Sequence, residues 1–230
     1  MNDRTEYKEY RQIEQRRHAM LANDTVVNIL DLGAGSSIAK GSEKQVREIA
    51  RQSLKSPKYA KLLFRIAKHY FGAGSPEMLE LGTSLGITSS YLALANPAGI
   101  LTTIEGSPEI AEIAQENFSA LGITNVRPVI GNFDSKLPQV LRVSNAVDLA
   151  FVDGNHREKP TLDYFSQLLE KKSDASIFIF DDIHWSAGME KAWRQVKSHP
   201  AVTLSIDLFF IGIVFFSADF KVKQDFSLRF

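Results

Sequence analysis

The sequence predicts an α/β protein: a doubly wound, mostly parallel seven-stranded sheet with an antiparallel last strand, preceded by N-terminal helices. Three observations carry this expectation. From residue 77 onward, short apolar runs alternate with longer segments of helical periodicity, the pattern of a parallel sheet joined by crossover helices. Several of those runs switch abruptly from apolar to polar at their ends, as in "LAFVDGNH" and "IFIFDDIHW". Finally, "VTLSIDL" (202–208) and "FIGIVFFSA" (210–218) leave no room for a crossover helix between them, so they must pair antiparallel.

Composition narrows the functional classes. With 230 residues, 44% hydrophobic and 23% charged, the chain can bury a sizeable core. Lys+Arg and Asp+Glu are 27 each, so there is no bulk attraction to nucleic acid or to an anionic membrane. With Cys at 0, disulfides, thiolate catalysis and cysteine-based metal centres are excluded. The longest apolar run, "LFFIGIVFF" (208–216), is too short to cross a bilayer as a helix. The charged N-terminus has no secretory apolar core, so a cytoplasmic protein is expected.

The elements follow in order. Residues 1–20 carry Arg4, Lys8, Arg11, Arg16 and Arg17 against Asp3, Glu6, Glu9 and Glu14, and read as a solvated helix. Residues 21–40 mix a short apolar segment with loop formers. From 42 to about 70 the spacing is helical, through Val46, Ile49, Ala50 and Leu54, then Tyr59, Leu62, Leu63, Ile66 and Ala67. Ser56-Pro57 breaks it, with Pro57 suited to a first helical turn. Residues 1–56 are expected to form a helical extension or lid, and 57–230 the α/β domain. Within the latter, strands are expected at 77–82, 100–106, 125–131, 146–154 and 175–182. Helices are expected at 87–96, 108–121, 134–143, 159–171 and 186–199.

Two glycine-rich loops compete for a ligand, "DLGAGSS" (31–37) and "ELGTSLG" (80–86). A nucleotide-binding loop follows a strand, opens a helix, and is answered by an acid at the tip of the next strand. The second loop meets all three conditions, with Glu105 as the acid. The first is followed by a helical stretch with no acid-capped strand. It is either a connector or a segment closing over the site. Thr83-Ser84 stands where a dinucleotide fingerprint has its second glycine, which suits a bulkier, phosphate-free ligand.

"MLELGTSLGITSSYLA" followed by "LTTIEGSPEIAEIAQENF" resembles the class I S-adenosylmethionine-dependent methyltransferases. Within them it is most similar to the small O-methyltransferases of the catechol and caffeoyl-coenzyme A type, over roughly residues 57–218. The resemblance implies a Rossmann-like fold and S-adenosyl-L-methionine as cofactor. It places Glu80, Gly82, Thr83, Ser84 and Gly86 around the methionine part, and Glu105 with Gly106 at the ribose. Gly131, Asn132 and Phe133 lie beside the adenine, with Asn132 or Asp134 near its amino group. Asp153 faces both cofactor and acceptor.

The resemblance also implies a Mg²⁺ or other divalent site, for which the matching positions are Asp153, Asp181 and Asp182. The last is Asp where the family has Asn. Three clustered carboxylates repel one another and call for a metal or a basic partner. The expected metal would hold an acceptor hydroxyl and lower its pKa. Asp153, His156, His184 and Lys159 are the catalytic candidates, the histidines as bases near neutral pH and Lys159 as the lysine that follows Asp153 in "HREKP". Other readings stay open. Asp181 or Asp182 could cap the following turn, His156 could be solvent-exposed, and His184 a packed loop residue. Trp185 could stack on a ligand or sit in the core or rim. Tyr164 and Phe165 read as core.

The expected function is S-adenosylmethionine-dependent methyl transfer to a hydroxyl oxygen of a small molecule, with metal assistance as an option. The alternatives are transfer to nitrogen or to a larger acceptor without metal, and an inactive cofactor-binding scaffold. Neither a nucleic-acid nor a membrane partner is expected, and "VDGN" (152–155) stands where base methyltransferases carry Asn/Asp-Pro-Pro-aromatic. A homodimer is left open.

Overall fold

Strand and helix signals alternate along the chain, and the computed structural model follows them, describing residues 5–30 and 41–230. The 31–37 glycine loop lies outside the described residues. The chain opens with helix α1 (Lys8–Leu21), strands β1 (Val26–Leu30) and β2 (Gly41–Gln45), and helices α2 (Val46–Ser53) and α3 (Pro57–Phe71). The α/β alternation then runs β3 (Glu77–Leu81), α4 (Ile87–Ala95), β4 (Ile100–Glu105), α5 (Pro108–Ala120), β5 (Val126–Ile130), α6 (Phe133–Val143), β6 (Leu149–Val152), α7 (Glu158–Leu169), β7 (Ile177–Asp181) and α8 (Ala187–Ser198). Strands β8 (Leu204–Asp207), β9 (Ile211–Phe215) and β10 (Gln224–Ser227) complete it.

The main sheet has the order β10-β8-β9-β7-β6-β3-β4-β5. β9 is antiparallel to both β7 and β8, and the other pairs are parallel. The chain moves from β3 outward to β5, then returns to place β6 on the other side of β3. That reversal opens a crevice at the carboxyl ends of β3 and β6, where ligands of open α/β sheets bind.

Alternating side chains divide the core into two layers, as the strand period of two requires. Met78, Leu149, Phe151, Ile177 and Ile179 face α1 to α4, against Tyr10, Ile13, Phe64 and Tyr91. Leu79, Leu81, Ala150, Val152, Phe178 and Phe180 face α6 to α8, against Leu137, Tyr164, Phe165 and Trp193. β6 and β7 are buried on both faces and read as unbroken apolar runs for that reason. Helix starts are set locally. Pro57 and Pro108 open α3 and α5. Asn132 caps α6 through the Asp134 amide, and Ser186 caps α8 through the Met189 amide.

Two features depart from the sequence expectation. Residues 42–45 are strand, not helix: β2 pairs antiparallel with β1, Val26 opposite Gln45. The helical spacing begins only at Val46, and the polar run before it takes its conformation from a distant partner. Glu109 of α5 docks this hairpin by accepting from the Asn28 amide at 2.6 Å and its side chain at 3.0 Å. The sheet also gains an eighth strand, β10, parallel to β8. Asp225 ties it down, accepting from Ser205 at 2.7 Å and Lys197 at 2.8 Å.

Phe64 joins the N-terminal helix to the core, its ring 5.0 Å from Tyr10 and 4.9 Å from Tyr7. Phe64→Ala should cost about 3–5 kcal/mol in urea denaturation, as truncation of a fully buried aromatic does. A loss under about 1 kcal/mol would show that α1 contributes little to the cooperative core.

Candidate active site

The loop after β3 is shaped by two glycines. Gly82 has φ +101°, and a Cβ there would stand 1.9 Å from the Asp153 carbonyl oxygen. Gly86 caps α4 in the left-handed region, and a Cβ there would meet the Phe118 ring at 2.7 Å. No other residue allows so close an approach at these φ values. The Gly82 amide donates to the Ile104 carbonyl at 3.0 Å, which holds the loop against the end of β4.

Two glutamates flank this loop. Glu80 is fully buried, and its Oε2 accepts from Thr103 at 2.7 Å and from Ser89. Its Oε1 has no hydrogen-bond partner among the described residues. Burial pushes its pKa up to about 7, although the two hydroxyls hold it down. Glu105 accepts from the Ser84 amide at 2.9 Å and the Ser107 amide at 3.0 Å. Burial raises its pKa, and these amides, with that of Gly106, oppose the rise. Beside them, Gly131 leads into the α6 cap at Asn132, whose side-chain oxygen takes the Asp134 amide at 2.8 Å. Phe133 covers Gly154, where a Cβ would meet its ring at 2.5 Å. Buried Tyr164 links Asp134 at 2.8 Å with Asn155 at 2.9 Å.

The acids at the ends of β6 and β7 do come together, around a cation that the sequence did not reveal. Lys55, between α2 and α3, pairs with Asp181 and lies 3.9 Å from Asp153 Oδ2. Burial alone would lower the Lys55 pKa, but Asp153 and Asp181 raise it above the ordinary value. Burial, with Asp153 alongside, pushes Asp181 up to about 8. His156 Nε2 stands 3.6 Å from Asp153 Oδ1 and 3.9 Å from Asp182 Oδ2. Among the described residues no group of three or more His, Asp or Glu side chains could hold a metal ion. In the expected divalent site of Asp153, Asp181 and Asp182, the first two thus have the Lys55 ammonium as their near neighbour.

The remaining candidates fall elsewhere. Lys159 is 85% exposed on α7 and pairs with Asp163 at 2.5 Å, so it is not brought to this edge. Six residues of sequence separation from Asp153 carry it onto the outer face of the helix. His184 Nε2 lies 2.9 Å from Asp207 Oδ2, and its ring stacks on Phe209 at 5.4 Å. Asp207, which burial alone would raise, is held below its ordinary pKa by the Phe209 amide, His184 and Trp193. Exposed Phe209 and Phe210, their rings 5.1 Å apart, form an aromatic rim with Tyr59 5.6 Å from Phe210, and Trp185 is exposed in the loop after β7. Neither this rim nor Lys55 carries a motif. The clustered acids called for a metal or a basic partner, and nothing in the sequence pointed to Lys55.

Non-glycine residues with positive φ mark the same edge: Ser84, Asn155, Asp182 and Phe209, each just beyond a strand's carboxyl end. Such strain collects at functional sites. A cavity of about 520 Å³ lined by Phe71, Pro76, Asp148 and Phe215 lies at the opposite, amino edge and shares no residue with this site.

Residues 79–183 match a family described as a methyltransferase domain, and this stretch contains the glycine loop, Glu105, Asp153 and Asp181. The fold is that of a class I methyltransferase. The O-methyltransferase TomG from Streptomyces achromogenes, solved with SAM, matches with a TM-score of 0.63 at 23% identity, covering 74% of this chain and 87% of that one. An O-methyltransferase from Bacillus cereus in complex with SAH matches with a TM-score of 0.64 at 18% identity, covering 93% of each chain. The catechol O-methyltransferase of Niastella koreensis is 30% identical over 109 residues, 46% of this chain and 48% of that protein. The chain spans about half the length, or less, of the curated relatives it matches. In fold this chain thus resembles those O-methyltransferases. None of its helices, among the described residues, is long and apolar enough to cross a membrane.

The raised pKa of Glu80 has a thermodynamic consequence in the ligand-free protein. Because its folded pKa lies above the unfolded value of 4.5, the stability it allows at low pH is lost as pH rises from 4.5 toward about 7. The full loss is about 3 kcal/mol. Glu80→Gln lacks this loss, so the variant's Tm minus the wild type's should become more positive between pH 5 and 8. A difference that does not move with pH would show Glu80 to be solvated.

Proposed function

We propose that the carboxyl edge binds S-adenosylmethionine and that the chain transfers its methyl group to a hydroxyl oxygen of a small molecule. The observation that carries this is the cradle between Glu80 and Glu105. A buried carboxylate with an unpartnered oxygen stands beside a loop that the absence of a Cβ at Gly82 lets pack directly on the Asp153 backbone. An uncompensated buried acid suits a cationic ligand, and a largely buried carboxylate held by backbone amides at a strand end suits a ribose diol. When bound, the cofactor supplies a methyl group on a sulfonium, open to attack by an oxygen in line. Thr83 and Ser84 shape the loop, and Gly131 to Phe133 offer a wall for the adenine.

The chain's own residues do the rest. His156, beside Asp153 and Asp182, is placed to take the acceptor's proton, and the two carboxylates would hold the resulting imidazolium. The rim of Tyr59, Phe209 and Phe210 suits a planar, apolar acceptor. His184, fixed by Asp207, belongs to that rim. Residues 1–56 would act as the lid: Ser53 meets Ser84 at 2.7 Å, and Lys55 reaches Asp181. The similarity to O-methyltransferases named for catechol supports an aromatic hydroxyl as acceptor.

Calorimetric titration with S-adenosylhomocysteine tests this reading. Wild type should bind in the micromolar range, roughly −8 kcal/mol. Glu105→Ala should weaken binding by more than about tenfold, the loss of charge-assisted hydrogen bonds. Unchanged affinity would remove the ribose assignment, and no binding by wild type would remove the function.

A further inference from the structure

We infer that the Lys55 ammonium is the built-in cation of this site, standing where a divalent ion would have to bridge Asp153 and Asp181, so that the site works without a metal. This deepens the proposed transfer site and rests on that reading for its consequence for turnover.

Asp181 ends β7 and is 1% exposed, so a cation can reach it only through the crevice. The ammonium occupies that approach: it pairs with Oδ2 of Asp181 and lies 3.9 Å from Oδ2 of Asp153. A metal bridging the same two carboxylates would need the same space. The two cations would also repel strongly at such a distance in a poorly solvated site. Either Lys55 leaves or the metal stays out.

The lysine is held where it is. Its side chain is only 14% exposed, which separates it from a mobile surface lysine. The segment that carries it is anchored on both sides, by Ser53 on Ser84 and by Pro57, which opens α3. Withdrawing the ammonium would leave Asp181 buried without a counter-charge, a strongly destabilising change. The third acid, Asp182, has His156 as its near cationic neighbour at 3.9 Å, and the same nitrogen stands 3.6 Å from Asp153. An internal ammonium also supplies what a metal would at this point, a positive charge facing an acceptor oxygen as it loses its proton.

Manganese binding, followed by electron paramagnetic resonance on the full chain, tests this without an acceptor. Wild type should show no saturable Mn²⁺ binding up to about 1 mM, the weak end of protein divalent sites. Lys55→Ala and Lys55→Met leave the acids without their ammonium and should bind Mn²⁺ tighter than wild type by roughly tenfold or more. Wild-type binding as tight as the variants', or no gain in either variant, would overturn the inference. Should neither variant fold, the wild type decides: Mn²⁺ binding that Asp181→Asn abolishes overturns it, and the absence of saturable binding upholds it. S-adenosylhomocysteine titration of the same wild-type sample reports separately on the cofactor reading. Failure there would leave the lysine's place as internal cation standing.

Discussion

No side chain fits between Gly82 and the backbone of Asp153, and the geometry of the carboxyl edge follows from that contact. It presses the turn after β3 onto the end of β6, across the point where the sheet changes direction. With the turn fixed there, its amides meet the end of β4, Glu105 closes over the Ser84 amide, and α4 starts at Gly86. The same contact puts Asp153 beside the floor of the crevice, within the electrostatic reach of Glu80. One close backbone approach thus sets the distance between the cofactor cradle and the acids at which an acceptor would be held.

Around that contact the site is an arrangement of buried charges. Glu80, Glu105, Asp153 and Asp181 all have their pKa values raised, each chiefly by burial. So much carboxylate in one crevice is costly without cations. The described residues supply Lys55 and place His156 next to it in the cluster. A sulfonium-bearing cofactor would add a third positive centre. The acids therefore serve two ends, one facing the cradle and the other facing Lys55. This division separates the acids that face the cradle from those gathered at the ends of β6 and β7 around Lys55 and His156.

The aromatic rim is built by a different device. β8 and β9 are joined by a turn too short for a helix, which leaves Phe209 with φ +72° and its amide on Asp207. The antiparallel insertion of β9 between β7 and β8 puts that turn beside the end of β7. Asp207 then holds His184, and His184 stacks on Phe209. An antiparallel strand at this place thus does more than finish the sheet. It brings a hydrophobic turn to the edge where the parallel strands end in acids.

The sequence by itself determined the alternation of strands and helices from residue 77, the antiparallel insertion, and which glycine loop lies at the switch point. These are local signals. Period-two and helical spacing, a proline in a first turn and an acid after an apolar run each act over a few residues. It also placed three aspartates at the ends of two strands, a cluster that calls for a metal or a basic partner. Tertiary structure decided what answered them. Lys55 lies in a segment with no motif, and it meets Asp181 only because α2 and α3 pack over the sheet and turn their connection toward the crevice. The lysine nearest in sequence, Lys159, is carried to solvent by the outward face of α7. The β1–β2 hairpin and β10 were likewise illegible, since polar strands take their conformation from partners far along the chain. Spacing along a chain reports which face an element buries. Which residues from separate elements meet at one point depends on how those faces pack.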